Sequence, residues 1–236
     1  MLTVSEPTCA HREAHPAGDS MAFRALALAW LLVCGGAWAQ VPQRNINFDL
    51  LAAARSGNVA AVASLLDQGA SPNPRNRLGD TPLNLAARNG QLELVRLLLA
   101  HRADVDLPNL ASVTPLMSAV FGGHEPVVRE LLASKADTTR SDRVHKTALI
   151  YAAASGDVGS LRALLDAGVD INQRDPENAT ALMWAAGYGK LDNLRLLLER
   201  GAPLDARDAR GMSALAIATQ QKQDEAAALL RSAGAK

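Results

Sequence analysis

A period of 33 residues runs through this chain and leaves it little choice of fold. Thr81 recurs as Thr114, Thr147, Thr180 and Ser213. Leu83 recurs as Leu116, Leu149, Leu182 and Leu215, and Ala86 as Ala119, Ala152, Ala185 and Ala218. Gly90 returns as Gly123, Gly156 and Gly189. A fixed step held without insertion marks a stacked array, in which no unit buries its apolar face alone and each relies on its neighbours. The chain is 48% hydrophobic but only 3% aromatic, so the core must be Leu, Ala and Val. That suits short, closely packed helices better than sheets.

One unit, residues 79–109, shows how the period becomes structure. Gly79-Asp80 is turn material. The Thr81 hydroxyl can cap a helix, and Pro82 suits the first helical position, where no N–H is needed. Leu83, Ala86 and Ala87 give this first helix a thin apolar face of small side chains. Asn89-Gly90 ends it, since glycine takes the left-handed conformation cheaply. Leu92, Val95, Leu98 and Leu99 then follow helical spacing and predict a second amphipathic helix.

Two motifs recur with this pattern. Thr-Pro-Leu-x-x-Ala occurs at Thr81 and Thr114, and Gly-Ala-type unit ends lead to an Asn or Asp, from Gly69-Ala70 with Asn73 to Gly168-Val169 with Asn172 and Gly201-Ala202 with Asp205. On these residues, 47–236 resembles the ankyrin-repeat family. The resemblance implies an all-α repeat, a solenoid of helix-turn-helix units with short hairpin-like turns. Six repeats begin near Phe48, Thr81, Thr114, Thr147, Thr180 and Ser213. The first has Phe48-Asp49-Leu50 in place of Thr-Pro-Leu and the last has Lys222 in place of the interhelical glycine, so these two are expected to be caps. The family's usual His after Leu is here Asn84, Met117, Ile150, Met183 and Ala216, and its hydrogen bond to the turn is expected to be missing throughout. Arg102 and Lys135 stand where Gly69, Gly168 and Gly201 stand; a left-handed non-glycine residue costs on the order of 1 kcal/mol.

The front end reads as an export signal. Met21 to Arg24 is a short positive start, 25–33 is apolar, and Ala37 and Ala39 are the small residues at −3 and −1 of a cleavage site before Gln40. The apolar run falls short of the roughly 20 residues that cross a bilayer, so no membrane insertion is expected after cleavage. The division expected is 1–20 as a non-native or disordered extension, with translation starting at Met21, then 21–39 as signal peptide, 40–46 as linker and 47–236 as repeat domain. An uncleaved anchor is the alternative for 21–39, and lipidation of Cys34 another, although Val33 is large for that motif. The cysteines, Cys9 and Cys34, both precede Gln40, so the mature chain has neither disulfides nor a thiolate metal site. The expected address is a bacterial periplasm, with secretion or a Cys34 lipid anchor as alternatives.

Little in the chain points to chemistry. Lys+Arg and Asp+Glu are balanced at 24 each, which gives no electrostatic reason to expect nucleic acid. Histidines after Gln40 are His101, His124 and His145, with no metal-binding spacing among them. Ser155-Gly156-Asp157 is an interhelical junction rather than a nucleophile elbow, and the sequon at Asn178 coincides with the cap Thr180. No catalytic residue, cofactor or metal is expected.

The aromatics are more informative. The resemblance implies a concave surface made of turn tips and of first-helix residues four, seven and eight after the cap. Those positions hold Arg88, Phe121, Tyr151, Trp184 and Tyr188, and the four rings are four of the five aromatics after Gln40. The tips add Arg77, Asp80, Arg143, Lys146, Glu177 and Arg210. A charged rim around aromatic anchors is how protein–protein interfaces are built; the competing reading is that the rings fill gaps between adjacent helices. The function expected is a monomeric, non-enzymatic protein-interaction module in the cell envelope, holding its partner on the concave face. The alternative is an envelope chaperone or assembly factor that protects or retains an exported enzyme.

Overall fold

The Thr-Pro-Leu runs become helices because their caps are in place. In the computed structural model, which describes residues 45–235, the Thr81 hydroxyl accepts the Asn84 N–H at 3.1 Å. Thr114, Thr180 and Ser213 accept likewise from Met117, Met183 and Ala216, and Pro82 and Pro115 stand in the first turn. Thr147 holds the same extended backbone at its cap, but its hydroxyl accepts no helix N–H.

Twelve α-helices follow among the described residues, with no strand. The first helices of the units are α1 (Ile46–Ser56), α3 (Pro82–Arg88), α5 (Pro115–Phe121), α7 (Ala148–Ser155), α9 (Ala181–Gly187) and α11 (Ala214–Gln220). The second helices are α2 (Val59–Asp67), α4 (Leu92–Ala100), α6 (Glu125–Ala133), α8 (Val158–Asp166), α10 (Leu191–Glu199) and α12 (Asp224–Ser232). Odd helices pack on odd and even on even, in two rows that also pack against each other within each unit. The hairpin-like turns keep only the isolated bridges Ser141–Thr147 and Arg174–Thr180. No helix among the described residues is long and apolar enough to cross a membrane.

Burial follows the period. Leu83, Leu116, Leu149 and Leu182 are sealed between the rows, as are Leu98, Leu131, Leu164 and Leu197. Small residues let adjacent first helices approach, with Ala86, Ala119, Ala152 and Ala185 fully buried. Gly90 serves two purposes: its φ of +69° favours glycine, and a Cβ there would strike the His124 ring at 2.6 Å. That ring belongs to the next unit, and its Nε2 lies 3.0 Å from the Arg88 carbonyl.

Some expectations change. Asn84 is not idle: its Nδ2 donates to the Leu107 carbonyl at 3.1 Å, a bond to the loop that follows its unit rather than to the preceding turn. Arg102 and Lys135 are left-handed as expected, at φ 62° and 64°, and Lys222 joins them at 58°. The first helix starts at Ile46 on an Asn45 cap whose side chain accepts the Phe48 N–H, slightly ahead of the boundary at 47. The signal at 21–39, its cleavage site, the extension 1–20, Cys34 and most of the linker 40–46 lie outside the described residues.

Candidate functional site

The five turn tips, residues 76–80, 109–113, 142–146, 175–179 and 208–212, are each organised by the residue five before the cap: Asn76, Asn109, Asp142, Asp175 and Asp208. Asn76 Oδ1 accepts the N–H groups of Leu78 and Asp80, and Asp142 Oδ1 those of Val144 and Lys146. Asn109 and Asp208 do the same in their own turns, and Asp175 accepts from Ala179. This uses Oδ1 of each side chain; the other terminal atom is an amide nitrogen in Asn76 and Asn109, where it donates to Asp80, and in the three aspartates it is a second oxygen.

What that second oxygen meets decides the fate of the aromatics. The Tyr151 hydroxyl donates to Asp142 Oδ2 at 2.5 Å, and the Trp184 indole N–H donates to Asp175 Oδ2 at 2.9 Å. Burial, and then the Asp142 carboxylate, push the Tyr151 phenol far above its ordinary value. In the last tip Asp208 takes the Arg210 guanidinium at 2.8 and 3.0 Å. The Met212 N–H, with Arg210, holds the Asp208 carboxyl below the usual range. The recurrence of Asn76, Asn109, Asp142, Asp175 and Asp208 at 33 residues is readable in the sequence, but it does not say which of them takes a ring.

The four rings therefore divide. Tyr151 and Trp184 are half-buried against the core and spoken for at their polar ends. Phe121 is 71% exposed and Tyr188 54%. Each exposed ring rests on an engaged one: Phe121 meets Tyr151 edge-on at 6.0 Å, and Tyr188 stacks on Trp184 at 6.0 Å. The gap-filling and the surface readings thus each describe two of the four.

The charges divide too. Asp80 is not a rim charge. It is 1% exposed, and it accepts from Asn76, Asn109 and Arg88, because a buried carboxylate must be paired. Arg88 is held by that pair at 3.0 Å with its side chain 42% exposed. Lys146 reaches into the next unit, its Nζ 4.4 Å from the Trp184 ring centre, a cation–π contact. Arg77, Arg143 and Glu177 are exposed and enter no ion pair among the described residues. Leu78, Leu110 and Val144, on the first three tips, are 63%, 55% and 64% exposed; sequence reasoning passed over them because they sit among turn residues.

Between the α9 and α11 units lies a groove of about 530 Å³. Trp184, Tyr188, Gly187 and Ile217 line it on the helix side, and Glu177, Ala179, Asp208 and Arg210 on the tip side. No group of His, Cys, Asp and Glu among the described residues could hold a metal ion. His101 is turned to the Leu97 carbonyl, at 2.9 Å, and His145 sits in a tip at φ 60°.

Comparison with known families gives one result. The model described as ankyrin repeats (3 copies) matches residues 26–109, 50–142, 108–175 and 149–236. No curated protein matches the chain.

Proposed function

The chain belongs to the ankyrin-repeat family, whose arrays generally mediate protein–protein interaction, and from that premise we propose a monomeric, non-enzymatic module of the cell envelope that binds a partner protein on the concave face of its stack. The observation that carries this reading is the exposure of Phe121 and Tyr188, at 71% and 54%, on a row whose other large apolar side chains are buried or half-buried, apart from Phe48 in the first unit. The exposed rings rest on half-buried, hydrogen-bonded rings that restrict their movement, and restrained aromatics of this kind are what binding hot spots are made of. Arg77, Arg143 and Glu177 are exposed on the tips without an ion pair among the described residues, and can set a partner's orientation. Export through the signal at 21–39, with cleavage before Gln40, would deliver the array to the periplasm.

Trp184 is a poor choice for testing this, since its indole also holds Asp175 and its loss would disturb the turn. Phe121→Ala with Tyr188→Ala leaves the turns intact and is expected to weaken partner binding by at least about 2 kcal/mol with an unchanged circular dichroism spectrum. The partner is found by placing a photo-crosslinking residue at 121 and 188 in living cells, with Arg96 and Arg195, exposed on the second-helix row, as controls. One discrete adduct from the first pair and none from the controls supports the reading. Equal adducts from all four positions defeat it.

A further inference from the structure

Lys146 shows what the surface of Trp184 attracts, and the next unit lacks its counterpart. Lys146 stands immediately before its cap and extends over the aromatic ring of the following repeat. One period on, the same place is Ala179 and the ring's place is taken by Ile217. The methyl group of Ala179 leaves the space open, and so does Gly187, where a Cβ would press on Ile217 Cγ2 at 3.1 Å. The groove of about 530 Å³ exists because these two side chains are small.

The walls of that space are chosen for a cation. Asp175, Glu177 and Asp208 line it against a single guanidinium, Arg210. Glu177 is exposed and without an ion pair among the described residues, and its backbone is pinned, because its carbonyl accepts the Ala209 N–H at 2.7 Å. Beside it Tyr188 presents a ring fixed by its stack on Trp184. A flat cation that forks onto a carboxylate and lies on an aromatic face is a guanidinium; an ammonium does only part of this.

We propose that the groove between α9 and α11 receives an arginine side chain of the partner protein, its stem along Ala179, Gly187 and Ile217 and its guanidinium between Glu177 and Tyr188. This deepens the interaction reading above and rests on it. The site selects the partner by charge and planarity, and it gives the acidic end of the face a role distinct from that of Arg77 and Arg143.

The probes are Gly/Ser peptides carrying three spaced arginines, or citrulline, lysine or glutamate in their place, titrated into the purified protein and followed by the Trp184 indole and Gly187 amide resonances. The arginine peptide is expected to shift both saturably and to bind about tenfold or more tighter than the citrulline peptide. Glu177→Gln, a change at an exposed side chain, is expected to remove most of that advantage, and Ala179→Lys to fill the groove from within and abolish the shifts. Equal binding of arginine and citrulline peptides, equal binding of the lysine peptide, or indifference to both substitutions overturns the proposal. In-cell adducts at 121 and 188 that survive Ala179→Lys would leave the broader interaction reading standing while this one falls.

Discussion

Tyr151 and Trp184 owe their behaviour to a residue nine positions earlier. Asp142 and Asp175 tie their own turns with one oxygen and take a ring donor with the other. The same turn position in the first two tips is Asn, with Leu85 and Ser118 at the ring's place, and no such pair forms. Because the Tyr151 phenol is raised by burial and then by Asp142, its contribution to stability is complete below the unfolded value of about 10 and is lost as the pH climbs through the folded value. The chain has two tyrosines, so Tyr188→Phe leaves Tyr151 alone to report. At a pH of about 11 the folded variant is expected to lack most of the phenolate absorbance at 295 nm, which should appear on adding urea. Asp142→Asn should bring ionisation of the folded protein to lower pH; full ionisation without urea in the parent variant would show the bond to be idle. The site was thus half legible. Ring positions followed from the period and the family resemblance, but hydrophobic content could not say that Tyr151 and Trp184 would be tied down while Phe121 and Tyr188 stayed open, because that depends on a carboxylate brought in by turn geometry.

Among the helices, the fourth unit departs from the rest at the end of α7. In the neighbouring units the junction closes by a backbone bond, His124 N–H to the Ala119 carbonyl and Lys190 N–H to the Ala185 carbonyl, at 3.0 and 2.9 Å. In α7 the matching Asp157 N–H donates to Ser155 Oγ instead. The Ala152 and Ala153 carbonyls accept from Asn193 Nδ2 of α10, at 2.8 and 3.1 Å. Asn193 is fully buried at a position that is Leu94, Val127 and Ser160 in earlier units and Ala226 in the last, so none of the others carries an amide there. It compensates, from the next repeat, for a helix end that does not close itself. Asn193→Ala, a size this position already carries in the last unit, is expected to destabilise the protein by about 1–3 kcal/mol, the cost of leaving buried acceptors short of a donor. A lowered urea midpoint would register it, and an unmoved one would show α7 closing unaided. The helices themselves were legible because cap, apolar spacing and glycine repeat together. This cross-link was not, since nothing local to Asn193 names the carbonyls forty residues before it.

At the scale of the whole array, two hydrogen-bond ladders run from unit to unit and both stop at the same seam. Along the tips, the Leu110 N–H donates to the Leu78 carbonyl and the Arg143 N–H to the Ala111 carbonyl, at 3.0 and 3.1 Å. The next donor would be residue 176, which is proline and has no N–H; the ladder resumes with Ala209 to Glu177. Between the outer loops, Ser71, Asp104 and Asp137 donate to the side chains of Asn47, Asn73 and Asp106. At the following step Thr139 replaces the Asn or Asp, and its hydroxyl turns to Asp137. Across this seam the units are held by packed helices and by three side chains, Asn193 on α7, Lys146 over Trp184 and Arg200 on Asp166. In a stack whose stability is a sum of neighbour terms, one interface poorer in backbone bonds is the place where the two halves part first. Restoring the donor tests the register of the tips directly. In Pro176→Ala the new amide should find the Val144 carbonyl, placed as Leu78 and Ala111 are, and exchange with deuterium at least about tenfold more slowly than an unprotected amide. Exchange at the unprotected rate would mean that the third and fourth tips are not in register, and that the groove beside Glu177 belongs to the downstream units alone.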